Sequence, residues 1–68
     1  MFFVVEVQNN NGAGATLVTT FTDRNQAESK FHEILKYAAV SSLTKHGAVV
    51  MTDDCVTILN KCYEHGEE

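Results

Sequence analysis

Apolar and polar positions along the chain change period twice. Residues 2 to 8, Phe-Phe-Val-Val-Glu-Val-Gln, are aromatic and β-branched, which favours a pleated strand. Asn9-Asn10-Asn11-Gly12-Ala13-Gly14 follows as a run of turn formers that tolerate positive φ, and Ala15 to Thr22 resumes a strand pattern. These two strands are expected to pair antiparallel across that loop. The period then becomes helical: Ala27, Phe31, Ile34, Leu35 and Ala38 fall on one stripe, while Glu28, Lys30, Glu33 and Lys36 face away. Thr22 or Asp23 is the expected N-cap, with Gln26 three residues beyond Asp23, and the helix is expected to run to about Val40. After the polar connection Ser41-Ser42-Leu43-Thr44-Lys45-His46-Gly47, two more strands are expected, Ala48 to Thr52 and Val56 to Leu59, joined at Asp53-Asp54. The fold class is therefore α+β: a mainly antiparallel four-stranded sheet in ββαββ order with one helix on one face, in a single domain over residues 1 to 68.

One helix covers one face of such a sheet, so the other face is either wet or joined to something. Alternation places Phe3, Val5, Val7, Leu17, Phe21, Val49, Met51, Val56 and Ile58 on the helix side. It leaves Phe2, Val4, Val18, Val50, Leu59 and Tyr63 on the far side, interleaved with Glu6, Gln8, Thr16, Thr20, Thr57 and Lys61. The competing assignment, with the faces exchanged, arises because valine-rich strands carry little face information. An apolar far face predicts self-association, as a homodimer or higher oligomer, with the six far-side residues as its interface.

Length points the same way. A chain of 68 residues buries only around 60% of its unfolded surface, so a disulfide, a metal or a second subunit is the usual supplement. Cys55 and Cys62 are seven residues apart in what reads as a strand, so they are expected to point to opposite faces and not to bridge, each acting as a small buried hydrophobe. The opening Met1-Phe2-Phe3-Val4-Val5-Glu6 lacks a basic start, and no apolar run nears the ~18 residues of a membrane span, so a cytoplasmic location is expected. Nine carboxylates against five scattered Lys and Arg argue against a nucleic-acid partner. The closing Glu64-His65-Gly66-Glu67-Glu68 reads as a solvated tail.

Candidate chemistry is sparse. Cys62 with His65 is one ligand pair without a second, too few for a structural zinc, and no metal or cofactor is expected. A small enzyme using Cys62 or His65 is the remaining catalytic reading, but nothing in the sequence supplies the cation or helix N-terminus that would activate a thiol. Gly12-Ala13-Gly14 lies between paired strands and opens no helix, which disfavours a phosphate loop. Residues 41 to 47 gather hydroxyls, an ammonium and an imidazole, the donors an anion requires, against the simpler reading of a polar connection. With the helix and the C-terminal segment they form a candidate ligand set of Lys30, His32, Ser41, Lys45, His46 and His65.

The segments Ala27-Glu28-Ser29-Lys30-Phe31-His32, Ala38-Ala39-Val40-Ser41, His46-Gly47-Ala48-Val49 and Tyr63-Glu64-His65 together resemble a group of short uncharacterised proteins of phages, prophages and gut Clostridia-type bacteria. The resemblance covers roughly residues 25 to 65. The chain departs from that pattern at Asp53-Asp54-Cys55, which stands in place of a glycine-containing turn. The resemblance implies a small accessory protein that acts by binding, either blocking a host protein or, as an oligomeric sponge, sequestering an anionic nucleotide signal.

Overall fold

The computed structural model describes residues 1–65 and contains five elements: β1 (Phe2–Asn10), β2 (Ala13–Phe21), α1 (Arg24–Ala38), β3 (Lys45–Thr52) and β4 (Thr57–Glu64). All strand pairs are antiparallel, in the order β2-β1-β3-β4. The ββαββ, α+β architecture expected from the pattern is the one observed. The first hairpin is tighter than expected, because Asn10 pairs with Ala13 and only Asn11 and Gly12 form the turn. Both adopt positive φ, 57° and 94°, the conformation that a two-residue turn between right-twisted strands requires and that Asn-Gly tolerates. Gly12 N donates to Asn9 Oδ1 at 2.9 Å, and Asn11 N donates to Thr44 Oγ1 at 3.0 Å, tying this turn to the connection before β3.

Asp23 is the N-cap of α1, its side chain accepting from Asn25 N at 3.0 Å, and the helix stops at Ala38, two residues before the expected end, with Ala39 as C-cap. Its buried stripe is Ala27, Phe31, Ile34 and Ala38. This stripe meets Val4, Ala48 and Val50, with Phe2, Phe21, Leu35, Ile58 and Leu59 packed around them. A register shift opposite Val50 and Met51 lets the consecutive Ile58 and Leu59 both reach that core.

The core reverses most of the expected face assignment. Val4 and Val50 are 1% and 0% exposed beneath the helix, so the even positions of β1 and β3 point inward. Phe2 and Leu59 also pack against the core, and Tyr63 is the register partner of buried His46. Of the six proposed interface residues, only Val18 lies on the far face. The residues that do lie there include Phe3, Val5 and Val7 of β1, Val49 and Met51 of β3, and Thr16, Val18 and Thr20 of β2. Leu17 and Phe21 are on the helix side as expected. The misassignment has a physical cause: from Phe2 to Val5 β1 is apolar at odd and even positions alike, and the polar Glu6 and Gln8 lie on the helix side.

β3 begins at Lys45, so the last three residues of the expected polar loop, Lys45, His46 and Gly47, are strand, and β4 extends past Leu59 to Glu64. Glu64 is thus paired, and His65 N donates to Thr44 O at 2.7 Å; the remainder of the expected tail, residues 66 to 68, lies outside the described residues. Both cysteines are free and exposed, and neither is the small buried hydrophobe expected. Cys55 is in the β3–β4 turn at φ 67°, the left-handed region that glycine adopts most readily.

Candidate functional site

Two features stand out from the packed scaffold: a polar cluster at the rim of the helix–sheet interface, and the uncovered face of the sheet. The cluster is built on neighbouring strands. Glu6 of β1 faces Ala48 of β3, Gln8 faces His46, and the pleat turns all four toward α1. His46 Nε2 lies 2.7 Å from Glu6 Oε2, and Gln8 Nε2 donates to the same oxygen at 2.9 Å. The His46 side chain is 8% exposed and that of Glu6 17%. Burial alone would push the Glu6 carboxyl up. The hydrogen bonds from His46 and Gln8, with the charges of His46 and Lys30, outweigh that and hold it below the usual carboxylate range.

The contact to Glu6 makes Nε2 the donor of His46, leaving the buried Nδ1 without a hydrogen-bond partner. A catalytic histidine would use its second nitrogen on a nucleophile or a substrate proton. Here no described hydroxyl or thiol bonds it, and the pair acts as a buried polar clamp between β1 and β3.

The six candidate ligand donors do not converge on one anion site. Lys30 Nζ is 3.1 Å from Glu33 Oε1, and its charge also reaches Glu6. His46 is engaged by Glu6. His65 places Nε2 2.8 Å from Ala38 O and stacks on Tyr63 at 6.2 Å between ring centroids. His32 is exposed on the outer helix face, its ring edge against Phe31. Ser41 Oγ accepts from Leu43 N at 3.0 Å, shaping the connection, and Lys45 pairs in register with Asn9 and Glu64. Lys30 and His46 are brought together, but around a carboxylate. Glu6 and Gln8 are the residues that sequence reasoning missed as site members, although two polar side chains at positions i and i+2 of a strand already shared one face.

The second feature is the far face. Its centre, Phe3, Val5, Val7, Val18, Val49 and Met51, has no covering element among the described residues, and Val18 is 61% exposed. It is nearly free of charge: Lys45 and Glu64, register partners at one end, are its ionised side chains. Toward β4 the face sinks into a hollow of about 400 Å³ lined by Val7, Gly47, Val49, Thr57, Asn60 and Cys62. Gly47 makes that hollow possible, because a Cβ there would collide with Lys61 O and lie 2.6 Å from Cys62 Cα. β3 and β4 approach too closely at this point for any side chain.

No protein-family model matches the chain, and neither a curated protein nor a solved structure is significantly similar to it. Among the described residues, no helix is long and apolar enough to cross a membrane.

Proposed function

We propose that this chain is a small non-enzymatic binding module of the reducing cytoplasm, an accessory protein of the phage or prophage type that its sequence resembles. It works as a homo-oligomer and blocks a host protein. The observation that carries the reading is the uncovered far face, which is apolar at its centre and almost uncharged in a chain of net charge −4. Copies that repel elsewhere can approach there. The molecule measures 36 × 20 × 15 Å, so its two longer dimensions bound the broad face. Pairing these faces leaves the β4 edge and the cleft between copies for the host protein. The sponge reading is less well supported, because Lys30, His46 and His65 are each engaged within the chain.

Native mass spectrometry of protein purified from a host cell tests the proposal. The expected result is a homo-oligomer with a stoichiometric host protein and no small-molecule mass. Val49→Glu, which puts an unpartnered carboxylate at the centre of the face, is expected to lower the assembly mass with circular dichroism retained. A parent that is monomeric, or a Val49→Glu variant that assembles and melts as the parent does, would overturn it; a co-purified nucleotide would move the reading to the sponge.

A further inference from the structure

The two edges of the sheet are built differently. β4 carries Lys61 and Glu64 and a register shift against β3, and charges and irregular pairing are devices that discourage another strand from adding to an edge. β2, Ala-Gly-Ala-Thr-Leu-Val-Thr-Thr-Phe over nine residues, has none of these: no charge, no proline and a continuous register with β1 from Ala13 to Phe21. Its outward N–H and C=O groups face no described strand. Two of its side chains, Leu17 and Val18, are 58% and 61% exposed on opposite faces of the sheet.

The order of side chains in β2 specifies which strand fits there. An antiparallel copy of the same strand centred on Leu17 sets Ala13 opposite Phe21, Gly14 opposite Thr20, Ala15 opposite Thr19 and Thr16 opposite Val18. The small half of one strand meets the large half of the other, and Leu17 meets its own mate. No like charges oppose each other, which is what a self-contact in an acidic chain requires. From this we infer that β2 is a homodimerisation edge, joining two four-stranded sheets into one of eight strands about a twofold axis through Leu17 and perpendicular to the sheet. Both helices then lie on the same side, with the two Leu17 side chains between them. This contact is independent of the sheet-face contact proposed above, since it uses a different surface and a different axis.

Cross-linking tests the register directly. Residues facing each other across antiparallel strands have Cα atoms about 4.5 to 5.5 Å apart, within the range a disulfide spans. In a Cys55→Ser, Cys62→Ser background, Leu17→Cys is expected to form a covalent dimer under mild oxidation at least ten times faster than Val18→Cys, whose mate is two positions out of register. Leu17→Lys and Leu17→Glu should each lose the edge contact by sedimentation, and an equimolar mixture should regain it as a heterodimer. Leu17 is more than half exposed, so these variants keep the fold, which circular dichroism verifies. Val49→Glu should leave the Leu17→Cys cross-link intact, separating this contact from the sheet-face contact. Equal cross-linking rates at positions 17 and 18, no cross-link in the purified protein, or a Leu17→Lys assembly of parental mass would overturn the inference.

Discussion

The Glu6–His46 pair joins residues forty positions apart, so neither residue carries a local sign of its partner. Glu6 interrupts an apolar stretch, whereas His46 lies near the end of a polar one. Their meeting depends on β1 and β3 being neighbours in a register that pairs Glu6 with Ala48 and Gln8 with His46. Once there, the half-buried carboxylate receives two hydrogen bonds at one oxygen, which offset the cost of its partial burial. Its pKa is depressed in the folded chain relative to the unfolded one. The stability it contributes is therefore fully present above the ordinary carboxylate range and is lost as pH falls through the lower, folded value. Glu6→Gln keeps the shape but removes the charge. We expect it to cost about 1 kcal/mol at neutral pH and to flatten the acid limb of the stability curve. Chemical denaturation of parent and variant at neutral and acid pH measures both effects, and superimposable acid limbs would show that the carboxylate is not held as described.

At the scale of elements, type was more legible than orientation. The stripe Ala27, Phe31, Ile34 and Ala38 has a period only a helix can bury, and the strand segments are too rich in β-branched and aromatic residues for anything but a sheet. Which face of the sheet the helix covers was not legible. Phe2-Phe3-Val4-Val5 and Ala48-Val49-Val50-Met51 are apolar on both sides, and the polar pair Glu6 and Gln8 was placed on the far side when it faces the helix, half-buried. Boundaries failed for a related reason: Lys45, His46 and Gly47 read as a polar connection but pair with Asn9, Gln8 and Val7, because cross-strand partners override local propensity. The candidate ligand set suffered in consequence, since it gathered donors adjacent in sequence that strand pleating then turned apart. Phe31 is the element-scale test. It is 4% exposed at the centre of the stripe, and its truncation leaves a cavity that a one-helix layer has little material to refill. Phe31→Ala is expected to cost ~3 to 5 kcal/mol, a large share of what so small a domain has, and urea denaturation reads it; an unchanged midpoint would mean that the helix does not seal the core.

The molecule as a whole is a two-layer unit in which only one layer is finished. The helix side is packed around Val4, Val50 and Phe31, whereas the other side presents a charge-poor face and an unguarded nine-residue edge. The sheet-face contact proposed here has a twofold axis lying between two parallel sheets, and the β2 contact has one perpendicular to them. Where the two axes intersect, they close into a tetramer of dihedral symmetry, the next commonest arrangement after the simple dimer. Such an assembly supplies the burial a 68-residue chain lacks alone, and folding then becomes linked to association by mass action. The melting temperature of the parent is accordingly expected to rise with protein concentration over a hundredfold range. Val49→Glu and Leu17→Lys should each weaken that dependence, and the double variant should melt at a concentration-independent, lower temperature as a monomer. Differential scanning calorimetry across the dilution series checks this. A parent transition that does not move with concentration would mean that the single layer of helix and sheet is stable unaided, and that neither surface is needed to complete the fold.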